Sequence, residues 1–178
     1  MPSTAFDHLV EIVNQATLIN PELPSRKITQ ESISGIGFNL LSKRLFSPLN
    51  EIVEMLEVPE ATKLPGVHPW VLGIANFRGK LLPLFDLSIF FNDFNKYDAK
   101  KKRVLVIELG DLYAGIIVNE VYGMVHLPSH LPFSPSETSE ALLNNYSTGC
   151  LTQDGVEWQY FSPFELAKDP RFFNAAKN

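Results

Sequence analysis

Four histidines, one cysteine and scattered carboxylates are the side chains of this 178-residue chain with the chemistry for metal binding or catalysis. His126 and His130 stand four apart, a spacing that shares a face only on a helix. Leu127-Pro128 lies between them and disfavours a helix, because proline restricts the residue before it. His8 and His68 are remote in sequence, so no metal-ligand cluster is expected. Cys150 sits in Ser147-Thr148-Gly149-Cys150-Leu151, where a strand is expected. A reactive thiol needs a base or a positive environment to lower its pKa, and no histidine is near in sequence. Cys150 therefore reads as a small buried apolar residue. A nucleophile paired with a folded-in histidine is the competing reading, and fast labelling by a thiol reagent would mark it. One cysteine excludes an intramolecular disulfide and a Cys-based zinc site. No glycine-rich phosphate loop or dinucleotide fingerprint occurs; Gly35-Ile36-Gly37 has no helix pattern after it. Lys100-Lys101-Lys102-Arg103 reads as a solvated loop or as a patch for an anionic partner. No cofactor and no catalytic residues are expected.

The composition is that of an ordinary, acidic globular protein. Fifteen basic and twenty acidic side chains give a net charge of −5. Phosphate contacts need a basic face, so sequence-independent nucleic-acid binding is not expected. No stretch reaches the ~18 apolar residues of a membrane span, and no membrane insertion is expected. The first residues, Met1-Pro2-Ser3-Thr4-Ala5-Phe6-Asp7, lack the basic and apolar regions of a signal peptide. A cytoplasmic protein is the resulting expectation.

The spacing of Phe6, Leu9, Val10, Val13 and Ala16 predicts an amphipathic helix over 4–18. Residues 19–32 carry two prolines and read as a linker, so 1–32 forms an arm and 33–178 the domain. Short strands follow. A hairpin is predicted from strands at 36–41 and 45–48 around Ser42-Lys43-Arg44, then a helical turn at 49–51 and a strand over 52–58. Phe77-Arg78-Gly79-Lys80 reads as a turn between two apolar strands, and Asp86 as the cap of a short helix ending near Phe91. Strands at 103–109, 112–118 and near 121–127 come next, with a helix over 138–144. A second hairpin surrounds Gln153-Asp154-Gly155, and Ser162 caps a last helix over 163–168. The two halves resemble each other at an offset of 69: Asn50-Glu51-Ile52 falls on Asn119-Glu120-Val121, and Met55 on Met124. The prediction is a mainly β fold of two related β-subdomains, roughly 33–92 and 103–168 and intertwined.

The most informative stretch runs from Leu64 to Leu87. Pro65-Gly66 is a turn, and Trp70 is large enough to anchor a barrel floor or a partner pocket. Arg78-Gly79 stands at a hairpin tip, where the arginine is either available to a partner or merely solubilises the turn. Pro69, Trp70, Gly73, Asn76, Arg78, Gly79, Pro83, Asp86 and Leu87 together resemble the signature of CheW-like domains, the adaptor modules of bacterial chemosensory arrays. The order of elements agrees from about residue 33 to 168. Gly35-Ile36-Gly37-Phe38, Leu64-Pro65-Gly66-Val67 and the N-terminal extension resemble the PilI-type members, which serve type IV pilus twitching motility. His68 departs from the pattern, where a small residue or proline is common.

The resemblance implies two five-stranded, SH3-like barrel subdomains with short helices. It implies a non-catalytic adaptor, cytoplasmic and recruited to membrane-associated arrays. The adaptor would bridge the cytoplasmic tip of a methyl-accepting chemoreceptor and a CheA-like histidine kinase, in the twitching pathway or alternatively in a flagellar chemotaxis array. Carried over by position, Arg78, Val104 and Val121 match receptor-binding positions, and Ile52 and Glu54 a kinase-binding segment.

Overall fold

The computed structural model describes residues 32–93, 95–110, 112–129, 132, 134–135 and 141–176. The helix expected over 4–18 lies outside them. The described chain forms β1 Ser32–Leu40, β2 Lys43–Pro48, β3 Glu54–Glu57, β4 Val71–Phe77, β5 Lys80–Asp86, β6 Arg103–Leu109, β7 Leu112–Val118, β8 Glu120–Pro128, β9 Cys150–Gln153 and β10 Val156–Tyr160. Short helices are α1 Leu87–Phe90, α2 Ala141–Asn144, α3 Pro163–Ala167 and α4 Pro170–Phe173, and Leu49–Glu51 makes one 3-10 turn. The strands form two curled five-stranded sheets, ordered β8-β1-β2-β10-β9 and β3-β6-β7-β5-β4. The mainly β architecture is the one expected.

Turn chemistry sets the registers. Leu41-Ser42, Arg78-Gly79 and Asp154-Gly155 all have both central residues at positive φ. That is the two-residue turn whose twist matches paired strands. It places the first turn at 41–42, so Lys43 and Arg44, expected in the turn, belong to β2, with Leu40 paired to Lys43. Two of the caps read from sequence form: Asp86 accepts from the Ser88 and Ile89 amides, and Ser162 from Glu165. Helix α4 was not expected. Its signal, Asp169-Pro170, is an N-cap followed by proline at the first helical position.

The repeat organises the sheets in an exchanged manner. At the offset of 69, β1 and β2 fall on β6 and β7, and β3 falls within β8. One sheet combines β1-β2 with β8, β9 and β10; the other combines β6-β7 with β3, β4 and β5. Each sheet is therefore a hairpin of one half completed by three strands of the other. In both, one joining contact is parallel, β10 along β2 and β5 along β7, and the other is antiparallel, β8 along β1 and β3 along β6.

Alternation on the strands separates three apolar cores. Phe38, Leu40, Leu105, Ile107, Ile116 and Trp70 belong to a shared core drawing on both sheets. Leu82, Leu84, Val104 and Val106 fill the inside of the β3-β6-β7-β5-β4 sheet. Phe46, Leu127 and Leu151, with Trp158 against them, fill the other.

Candidate functional site

Arg78 stands first in the β4–β5 turn, with φ +52. A non-glycine residue there carries local strain, of order 1 kcal/mol or more. Its Nη2 donates to Glu54 Oε1 at 2.7 Å, and its guanidinium lies 5.3 Å from the centroid of the Phe77 ring. The Arg78 side chain is 72% exposed and Glu54 28%. In the sheet order, β3 and β4 are opposite edges. An ion pair between β3 and the β4–β5 tip therefore requires the sheet to curl until its ends meet. The structure joins the two residues that the sequence reading assigned to different partners, across 24 positions of sequence.

Beside Glu54 on β3, Met55 is half-exposed and helps line a groove of about 300 Å³. The opposite wall is Val121, Tyr122 and Gly123 of β8, so the groove runs between the edge strands of the two sheets. Lys101, Arg103 and Glu120 complete the lining. Lys101 Nζ donates to Glu120 Oε1 at 3.0 Å, strapping the loop before β6 to β8. That hydrogen bond and the Glu120 charge push the Lys101 pKa up. Arg103 stands 3.9 Å from Glu57 of β3.

The remaining sequence-predicted residues divide. Val121 lines the groove. Val104 is fully buried in the inner core of its sheet, so it offers no surface and supports β6 from behind. Ile52 is 8% exposed and packs into the shared core; the outward residues of that segment are Val53 and Met55. Sequence reasoning missed Val53, Met55 and Glu120 as surface features, while Lys101 falls in the run expected to be a solvated loop or a patch for an anionic partner. The repeat held one signal: Met55 and Met124, matched at the offset of 69, are both exposed on edge strands.

The catalytic alternatives gain no geometry. Cys150 is half-buried on β9, and burial, with the Glu157 charge, pushes its thiol pKa up, away from the thiolate. His126 lies on strand β8 and its Nδ1 bonds Ser34 Oγ at 2.8 Å; His130 lies outside the described residues. Among the described residues, no three His, Cys, Asp or Glu side chains cluster as metal ligands. No helix among them is long and apolar enough to cross a membrane.

Two curled sheets around a shared core, an ion-paired arginine at an exposed hairpin tip and a groove between edge strands make a small two-sheet β module. The family model for the CheW-like domain matches residues 34–171, and the chain belongs to that family, the scaffolds of chemosensory signalling. It is 38% identical to Protein PilI of Pseudomonas aeruginosa over 173 residues, 97% of each chain. It is 28% identical to chemotaxis protein CheW of Helicobacter pylori over 92 residues, 52% of this chain and 56% of that one. The crystal structure of scaffolding protein TtCheW from Thermoanaerobacter tengcongensis superposes with a TM-score of 0.67 at 20% identity, covering 79% of this chain and 95% of that one.

Proposed function

We propose that this chain is a non-catalytic adaptor that couples the cytoplasmic tip of a methyl-accepting chemoreceptor to a CheA-like histidine kinase, in the pathway controlling type IV pilus twitching. It would work in the cytoplasm, recruited to receptor arrays at the membrane. The likeness to PilI along nearly the whole chain supports the twitching pathway. The Arg78–Glu54 pair carries the coupling role. A receptor side chain that captures the Arg78 guanidinium draws it from Glu54 and frees a carboxylate on β3, where the kinase would dock. Val121 would meet the receptor in the groove, while buried Val104 and Ile52 hold β6 and the start of β3 in place. Coupling of this kind needs only ~1–3 kcal/mol.

A deletion strain complemented with Arg78→Ala tests the reading. The exposed pair contributes ~0–1 kcal/mol to stability, so the variant folds but fails to restore twitching or receptor binding. Full twitching control with wild-type receptor affinity would remove Arg78 from the mechanism. Loss of swimming rather than twitching on deletion would favour a flagellar array, the reading that the likeness to chemotaxis CheW proteins supports.

A further inference from the structure

His68, the residue at which the chain departs from the family signature, lines a cavity of about 590 Å³ that shares no lining residue with the groove. That volume lies within the ~300–1,000 Å³ of small-ligand sites. Its apolar surface is supplied by Trp70, Phe90 and Ile89, with α4 forming the opposite side. The aromatic rings are already engaged: His68 and Phe172 both stack on Trp70, at 5.6 and 6.0 Å, and the Arg171 guanidinium lies 5.6 Å from the Phe90 centroid. A ligand there meets ring edges and aliphatic surface rather than an open stacking face.

The polar lining carries a cation and no anion. Arg171, His68, Asn92 and Asn174 contribute donors, and none of the lining residues is a carboxylate, although the chain has twenty acidic side chains. Arg171 is fixed in place: its Nε and Nη2 bond Asp169, and Nη2 also donates to the Tyr146 hydroxyl at 2.8 Å. Those bonds leave Nη1 over, on a side chain 56% exposed. Asp169 balances the guanidinium charge from behind, and its side chain is only 12% exposed. Asn92 and Asn174 are exposed residues that line the same cavity. Apolar floor, a positioned guanidinium edge and two amides are complementary to an aliphatic group next to an anionic oxygen pair.

We propose that this cavity binds the C-terminal residue of a partner polypeptide, an aliphatic side chain in the cavity and its free carboxylate at Arg171 Nη1, Asn92 and Asn174. The cavity is open to solvent on one side, which lets the rest of a peptide leave it. The site is independent of the receptor groove and survives if the Arg78 reading fails.

The test is a titration of the full-length, 15N-labelled protein with the pentapeptide Gly-Gly-Ser-Gly-Leu, as free acid and as C-terminal amide, and with N-acetyl-leucine. The free acid shifts the Trp70 indole N–H and the Asn92 and Asn174 side-chain amides. Amidation weakens binding by roughly tenfold or more, because a charge-assisted hydrogen bond is lost. The Asn92→Asp/Asn174→Asp variant places carboxylates at two exposed positions; it keeps its melting temperature and weakens the free acid by a similar factor. Equal binding of acid and amide, or an unshifted Trp70 indole at millimolar peptide, overturns the site. N-acetyl-leucine binding as tightly as the peptide overturns the assignment to a chain end.

Discussion

Arg78 holds a left-handed backbone that glycine adopts without strain, and Gly79 beside it already does so. If the arginine served the turn alone, glycine would serve it better. Arg78→Gly removes about 1 kcal/mol of strain and an exposed ion pair of ~0–1 kcal/mol. The variant is therefore expected to melt no lower than the parent and, under the proposed adaptor role, to lose receptor binding. A marked drop in melting temperature would make Arg78 a structural residue. A second residue-scale prediction concerns Asp169, whose carboxyl the Arg171 guanidinium holds down at about 2, helped by the Tyr146 hydroxyl. A folded pKa below the unfolded ~3.9 stabilises the protein above that value, and the contribution is lost as pH falls from about 4 to 2. The shift corresponds to about 2 kcal/mol, reduced by the exposure of Arg171. Asp169→Asn keeps the cap of α4 and flattens this acid limb in urea titrations at stepped pH; an unchanged limb would assign it to other carboxylates. Neither pairing was legible in sequence. Glu54 and Arg78 were singled out one by one, and only the curl of the sheet brings β3 to the β4–β5 tip. Arg171 drew no attention, because α4 was not expected.

At the scale of elements, the sheets fill their interiors with opposite size patterns at matched positions. Offset by 69, Gly35 and Gly37 of β1 fall on Val104 and Val106 of β6, and Phe46 of β2 on Gly115 of β7. In one sheet a Cβ on Gly35 would meet the Ser47 carbonyl at 2.3 Å and the Phe46 ring at 2.6 Å, and one on Gly37 would meet Trp158 and Val125, both at 2.7 Å. In the other, a Cβ on Gly115 would meet Val104 Cγ1 and Leu84 Cδ2, both at 2.7 Å. A large residue on one strand requires a small one on its neighbour, since interiors are packed to near-crystal density. Gly115→Ala is expected to cost ~1–3 kcal/mol by overpacking. Val104→Ala alone opens a void, yet the double variant is less destabilised than the sum of the two. Urea denaturation of the four proteins reads the coupling, and additivity within ~0.5 kcal/mol would dismiss the compensation. Most strands were legible, because alternation and two-residue turns are local signals. The exchange of strands between sheets was not. Pairing β10 with β2 and β5 with β7 depends on which apolar faces fit, which periodicity does not encode.

At the scale of the whole molecule, the exchange ties each half to the other's helices. Buried Glu51, in the turn before β3, accepts from Ser162 Oγ at 2.6 Å and from the Phe164 amide at 3.2 Å, holding the start of α3. In the matching turn, Asn119 Oδ1 accepts from Ser88 Oγ of α1 at 2.6 Å. Removing either half takes three strands and a helix anchor from the other's sheet. The sheets therefore have no independent unfolding route and should melt as one cooperative unit. The two tryptophans report from different places: Trp70 packs on Phe85 of β5 in the shared core, and Trp158 stands in β10 of the other sheet. In Trp158→Phe the fluorescence midpoint in urea, from Trp70, is expected to coincide with the far-ultraviolet dichroism midpoint. The same holds in Trp70→Phe, where Trp158 reports. Glu51→Ala leaves buried donors unpaired, at ~1–3 kcal/mol. Although its partners belong to the second half, it lowers the Trp70 midpoint as much as the Trp158 midpoint. Separate midpoints, or an effect of Glu51→Ala on one tryptophan alone, would mean that the sheets fold as two domains.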